Sequence, residues 1–245
     1  MGKVIAMVSG KGGVGKTTIS AELCSSLSLK HSVVGIDFDM GFRNLDILTN
    51  MQNDVVYDMG DVLKGNCSLQ NALCKCPNSN FHLLAASATD FYEDMDVDAV
   101  AFVIEALKKR FDFVIVDCAA GINKSVRDIC KLSDTVVIVA VPERTSLRDE
   151  EHAAKIIGKI TDAKIRLVIN KFNKDMVSIG VYPNIDDMID HVGIRLVGVV
   201  PFYENLIIEQ NIGKIIKKKN NKYFNSIRDI GSRLANQEVA FKKYW

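Results

Sequence analysis

The segment Gly10-Lys11-Gly12-Gly13-Val14-Gly15-Lys16-Thr17 constrains this chain more than any other. It fits G-x-x-x-x-G-K-[ST], a pattern that cradles polyphosphates when a strand precedes it and a helix follows. Both neighbours are present. Val4-Ile5-Ala6-Met7-Val8 reads as a buried strand, and residues 17–29 read as a helix. Glycines let successive main-chain N–H groups curl around a phosphate that a side chain would hold off. The helix start adds the positive end of its dipole. In such a loop Lys16 reaches the β- and γ-phosphates of a nucleotide, and the Thr17 hydroxyl ligates Mg2+.

A second lysine, Lys11, stands inside the loop where the general pattern leaves the residue free. It can fold back on its own phosphates, stay solvated, or project outward. Projected outward, it would bring a cation to the γ-phosphate of a nucleotide in a facing subunit, as an arginine finger does.

Further short apolar, β-branched runs follow at 33–36, 82–86, 113–116, 135–141, 165–169 and 196–200. They are almost continuously hydrophobic rather than alternating, which predicts strands buried on both faces of a mostly parallel sheet. Helical patterns lie between them at 96–110, 124–132, 146–160 and 185–192. The expected fold is therefore α/β: a single-domain P-loop NTPase with a doubly wound, mostly parallel sheet of about seven or more strands and helices on both faces. Right-handed crossovers put ligand chemistry at the carboxyl ends of the strands. The second run ends in Asp37-Phe38-Asp39 and the fourth in Asp117, so three carboxylates gather at the edge that holds the loop. Asp37 and Asp117 are placed as metal-side acids, and Asp39 as the group that positions or activates water. Gly121 gives the main chain after Asp117 a pivot that would respond to the γ-phosphate. Asn170, after the sixth run, has an amide able to pair with a purine edge.

The 245 residues carry a net charge of +1, so no global affinity for polyanions is implied. The distribution is uneven. From Gly213 to Trp245 nine Lys and Arg face Asp229 and Glu238, a net +7 that leaves −6 for residues 1–212. A basic end on a mildly acidic body suggests an anionic partner surface. Six cysteines without a C-x-x-C pair suit a reducing compartment. Met1-Gly2-Lys3 leads directly into the first strand, which predicts no secretory leader. No apolar run approaches the length of a membrane span.

The loop lysine in Lys11-Gly12-Gly13-Val14-Gly15-Lys16-Thr17-Thr18 resembles the deviant Walker A motif of the MinD/ParA ATPases. Asp37-Phe38-Asp39-Met40-Gly41-Phe42-Arg43-Asn44-Leu45-Asp46 is similar to the first switch of the MinD branch, and Asp117-Cys118-Ala119-Ala120-Gly121-Ile122 to its second. Pro142-Glu143, Ser146-Leu147-Arg148-Asp149 and Leu196-Val197-Gly198-Val199-Val200-Pro201 match later stretches, so the likeness covers roughly residues 2–212. It implies ATP and Mg2+ as ligands, held by Gly10, Lys11, Gly12, Gly13, Val14, Gly15, Lys16, Thr17 and Thr18, with Asn170 on the adenine and Pro201 in the segment that closes over it. Metal would fall to Thr17, Asp37 and Asp117, and catalysis to Lys11, Lys16 and Asp39. It further implies a homodimer with ATP sandwiched between subunits and Lys11 crossing the interface. Division-inhibitor and hydrolysis-activator partners of the MinC and MinE type follow, with a cytoplasmic protein peripheral on the inner face of the membrane when ATP is bound.

Two departures stand out. Cys118, Ala119 and Asn123 replace the Ser, Pro and Glu usual in the second switch, and losing proline predicts a looser turn. The end of the chain is also short. Residues 1–235 are expected to form the ATPase domain, and residues 236–245 a basic, aromatic tail. On a helical wheel Leu234, Ala240, Phe241, Tyr244 and Trp245 share a face flanked by Lys242 and Lys243, which suits an anionic membrane surface. A ParA-like reading would instead set Lys214–Lys222 against nonspecific DNA. An iron–sulfur carrier would need Cys118 beside a two-fold axis. The helix at 146–160 offers Asp149, Glu150, Glu151 and His152 as a partner surface.

Overall fold

The computed structural model describes residues 2–92, 95–206, 208 and 221–245. In chain order its elements are β1 (Lys3–Val8), α1 (Lys16–Leu27), β2 (Val33–Phe38), α2 (Leu45–Leu48), α3 (Met59–Leu63), α4 (Leu69–Ala72), β3 (Cys74–Lys75), β4 (Phe81–Leu84) and α5 (Val97–Arg110). They continue with β5 (Phe113–Cys118), α6 (Lys124–Lys131), β6 (Thr135–Ala140), α7 (Arg144–Ile157), β7 (Lys164–Phe172), α8 (Lys174–Ser178), α9 (Ile185–Val192), β8 (Leu196–Pro201) and α10 (Lys222–Leu234). Lys214, Lys217, Lys218 and Lys219, on which the DNA-binding alternative leaned, lie outside the described residues.

The strands form one eight-stranded sheet in the order β3-β4-β2-β5-β1-β6-β7-β8. All neighbours run parallel except β3 and β4. Strand order reverses at β1, so the loop after it opens into the crevice where such sheets bind ligands. Successive side chains along β1 face opposite ways, and both sets are buried. Val4, Ala6 and Val8 join a core with α5, α6, α7 and α9. Ile5 and Met7 join the core on the other face, with α1 and α10.

Each apolar run predicted as a strand lies in the sheet. The two-residue β3 is an addition, paired antiparallel through Cys74 with Leu83 and Lys75 with His82. β7 runs on to Phe172, so Asn170 and Lys171 sit within the strand end rather than after it. The register with β8 shifts there, and Lys171 adopts a left-handed conformation (φ 55°).

Helix α10 is the main element that the apolar periodicity left out. Asn221 caps it by accepting from Phe224 N at 2.9 Å. Its Tyr223, Phe224, Ile227, Ile230 and Leu234 are buried against α1 and β8. Five such side chains supply on the order of 10 kcal/mol of apolar burial. Residues 222–234 of the segment read as a basic end therefore form a core helix.

The tail forms no helix. Arg233 donates to Val197 O (2.9 Å), Val239 O (3.2 Å) and Ala240 O (2.9 Å), and its guanidinium lies over the Phe241 ring. Tyr244 Oη donates to Asp229 Oδ2 at 2.6 Å, and the Trp245 ring meets Phe172 edge-on at 5.3 Å. The one-sided apolar helix expected at the end of the chain is replaced by a strap along α10. Among the described residues, no helix is long and apolar enough to cross a membrane.

Candidate functional site

The loop leaves β1 and enters α1 through Gly15 (φ 90°), and no side chain caps that helix. A helix start without a side-chain cap is where an external anion can bind. Gly13 is also left-handed (φ 79°). At Gly15 the constraint is double. A Cβ there would lie 2.4 Å from Asn170 Nδ2.

Beneath the loop stands a buried charge cluster. Lys16 Nζ contacts Asp117 Oδ1 at 3.0 Å, with both side chains almost fully enclosed. Ser20 Oγ donates to the same oxygen at 2.7 Å. Asp117 Oδ2 is buried and has no partner. In the parallel register of β2 and β5, Asp37 lies directly beside Asp117. Asp37 accepts from three main-chain N–H groups: Asp39 at 3.1 Å, and Asn44 and Leu45 at 2.9 Å each. Burial first, and then the neighbouring Asp117, push the Asp37 carboxyl up to about 6 despite those bonds. Asp39 is half-buried at the mouth. Burial raises it, and the Lys16 ammonium pulls it back.

Lys16 and Asp39 border a cleft of about 530 Å³ that also takes in Thr17, Thr18, Asn170 and Pro201. Phe202 and Tyr203 line its far wall, and Tyr223 reaches it from α10. Asn170 Nδ2 donates to Val14 O at 2.8 Å, so its amide is engaged with the loop itself. Lys171 Nζ donates to Gly13 O at 2.8 Å. The structure thus brings together Gly12 to Thr18, Asp39, Asn170 and Pro201 around one cleft, while Asp117 is buried behind Lys16 and Asp37 lies beside Asp117.

Lys11 is turned out of that cleft. Its Nζ lies 3.4 Å from Glu143 Oε2 and 3.3 Å from Thr145 Oγ1, at the start of α7. It neither folds onto the site of its own phosphates nor stands free in solvent. Gly10 is held by the same helix. Its N–H donates to Glu150 Oε2 at 2.7 Å, and a Cβ there would meet Asp149 O at 2.8 Å. Glu150 is wholly buried, so it drops out of the expected partner surface, in which Asp149 and His152 are exposed.

The second switch is braced differently from the expectation. Gly121 is left-handed (φ 83°), and its N–H donates to Ser9 O at 2.9 Å. Asn123, which replaces a glutamate, caps α6 by accepting from Val126 N at 3.1 Å. An Asn at that position supports the helix start directly. Cys118 points into the core, and burial pushes its thiol well up. A cluster ligand at a two-fold axis would need the opposite, an accessible thiolate. Among the described residues no three His, Cys, Asp or Glu side chains form a self-contained metal centre. A hard cation here would share its ligands with a phosphate, as Mg2+ commonly does.

Ser20, Lys171 and Tyr223 were not anticipated, and Glu150 was expected on a partner surface rather than beside the loop. Ser20 stands one helical turn after Lys16, and that spacing could have pointed to it. Lys171 follows Asn170 directly. Glu150 and Tyr223 carried no local signal, since their roles depend on how α7 and α10 dock.

Comparisons with known proteins agree with this fold. A family model described as an AAA domain matches residues 2–171. The septum site-determining protein MinD of Synechocystis sp. is 32% identical over 98% of this chain and 92% of its own. That of Bacillus subtilis is 33% identical over 98% and 91%. Among solved structures, one titled as a MinC:MinD cell division protein complex from Aquifex aeolicus superposes with a TM-score of 0.91, at 29% identity, covering 99% of this chain and all of that one.

Proposed function

Because the chain belongs to the MinD family of septum site-determining proteins, we propose that it works as an ATP-loaded switch in which nucleotide joins two copies face to face. It is an ATPase of division-site placement that uses ATP and Mg2+. The observation that carries the switch reading is the buried triad of Lys16, Asp117 and Ser20 beneath the loop. A polyphosphate competes with Asp117 for the Lys16 ammonium. The carboxylate so vacated, with its partnerless Oδ2, then fits Mg2+ beside Thr17. Asp37 would reach the metal through water, because both its oxygens already hold main-chain N–H groups. Bound there, Mg2+ would supply charge to the β- and γ-phosphates.

Asp39 lies at the mouth of the cleft and is the group suited to orient the attacking water. Lys11, on the rim, would leave Glu143 and Thr145 to meet a nucleotide in the facing subunit. Asn170 and Pro201 would border the adenine, with Asn170 also keeping the loop in register through Val14 O. A MinC-type inhibitor and a MinE-type activator are the expected protein partners. The inner membrane face is the expected location of the ATP-bound form, reached through residues 236–245 once Trp245 and Tyr244 leave their contacts.

The test is the molar mass by light scattering with Mg2+ and a slowly hydrolysed ATP analogue, alongside phosphate release with ATP. The wild type and Asp39→Ala are expected to dimerise, and only the wild type to turn over. A wild type that stays monomeric at saturation refutes the switch. An Asp39→Ala variant with normal turnover refutes the role given to Asp39.

A further inference from the structure

Glu150 is a buried ionisable group that the reading above leaves without a task. Its side chain is fully enclosed on the inner face of α7. One oxygen, Oε2, takes the Gly10 N–H at 2.7 Å, directly behind the phosphate loop. The other, Oε1, is buried with no partner. Among the described residues no cation pairs with it. The nearest candidate by sequence, the Lys11 ammonium, is turned to Glu143 and Thr145. His191 on α9 is turned to Glu151 instead. What faces Glu150 from the loop is the main chain of Gly10 and Lys11, and on its own helix the charged neighbour is Asp149.

We propose that Glu150 is a positioning residue for nucleotide binding, a neutral acid that grips the loop from behind without adding a negative charge of its own behind the phosphate-binding amides. The proposal rests on the nucleotide-binding reading of the cleft. Three observations carry it. A buried carboxylate with a bare oxygen and no counter-ion is strongly disfavoured, whereas a bare hydroxyl costs far less. Gly10 packs so closely on α7 that a Cβ there would meet Asp149 O at 2.8 Å, so the loop is seated directly against the helix that carries Glu150. Gly10 also precedes Lys11, so the grip fixes the main chain from which that lysine projects. Burial pushes the Glu150 carboxyl up to about 8, with Asp149 adding to the effect and the two loop amides opposing it.

An ionised Glu150 would set a negative charge behind amides that must receive a polyanion. The fraction of protein with the neutral acid then limits affinity, and the apparent Kd rises as that fraction falls. At pH 9 the neutral fraction is about one in ten, so binding weakens about tenfold from its value near pH 7. The experiment is calorimetric titration of Mg·ADP into the wild type, Glu150→Gln and Glu150→Ala between pH 6.5 and 9. Glu150→Gln keeps a carbonyl for Gly10 and never ionises, so it should match the wild type at low pH and hold that affinity to pH 9. Glu150→Ala leaves the amide without its acceptor and should bind more weakly at every pH, without the step near 8. Parallel wild-type and Glu150→Gln profiles overturn the proposal, as does wild-type affinity in Glu150→Ala.

Melting curves without nucleotide give an independent arm. The folded acid holds its proton to a higher pH than the unfolded chain, so the wild type loses stability relative to Glu150→Gln as pH rises from about 4.5 to about 8. A constant difference across that window overturns the neutral acid even if nucleotide binding itself fails. Absence of Mg·ADP binding by the wild type would instead refute the cleft reading. If Glu150→Ala does not fold, the Gln comparison decides alone.

Discussion

Replacing Lys16 with alanine tests the floor of the cleft before any nucleotide is added. The substitution removes the ammonium 3.0 Å from Asp117 Oδ1, where the two side chains are 7% and 1% exposed. Asp117 keeps one donor, Ser20 Oγ at 2.7 Å, while Oδ2 has none. Removing one member of a buried pair costs about 3–5 kcal/mol, chiefly because the other charge stays buried. The surviving Ser20 bond places the expected loss near the lower end, at about 3 kcal/mol. For a chain of this size each kcal/mol moves the melting temperature by about 2–4 °C, so Tm should fall by about 6–12 °C. Adding Asp117→Asn removes the stranded charge and should recover about 2 kcal/mol, a coupling that a double-mutant cycle reads directly. Urea unfolding followed by circular dichroism, on all four proteins without nucleotide, measures both quantities. A Lys16→Ala protein within about 0.5 kcal/mol of the wild type would refute the argument, as would a double variant no more stable than the single one. Lys16→Ala should also fail to dimerise with ATP, and that must be scored at a temperature where the variant is folded.

Two further outcomes follow from the geometry. Gly15→Ala places a Cβ 2.4 Å from Asn170 Nδ2 in a left-handed backbone. Strain of about 1–2 kcal/mol and a lost bond to Val14 O of about 1 kcal/mol should lower both melting temperature and nucleotide affinity, and unchanged affinity by calorimetry would contradict the crowding. Liposomes of anionic lipid should pellet the full chain more with ATP than with ADP or no nucleotide, and should not pellet a chain ending at residue 235; equal pelleting in every case would remove the tail from the membrane reading.

The fold was legible where one residue's neighbours along the chain settle its environment. Val4–Val8 and Phe113–Val116 are apolar on both faces because helices cover both, and a continuous apolar run states that condition directly. The loop was legible because its chemistry resides in main-chain amides that only a particular spacing of glycines exposes. What failed to show is what depends on docking. Tyr223, Ile227, Ile230 and Leu234 alternate with polar and basic residues, so charge dominated the reading of a helix that is largely core. Glu150 reads from the sequence as one more acid on a partner surface, and only the seating of α7 against Gly10 buries it. The aromatic residues at the end of the chain suggested a membrane-facing stripe. Arg233 and Phe172 give them partners on the body that no local pattern announces. Asp37 and Asp117 were found at the expected edge, but the demand that the first makes on three main-chain N–H groups becomes visible only in the folded turn.

The strap at the end of the chain has a practical corollary. The sequence contains a single tryptophan, and its indole rests on Phe172, next in sequence to the lysine that grips the loop carbonyl of Gly13. Tryptophan emission from the unlabelled protein, excited where tyrosine does not absorb, therefore comes from one known spot a few residues from the nucleotide cleft. Quenching by a neutral solute, recorded as ligand is added, would follow the undocking of that ring in real time, with no dye and no engineered cysteine.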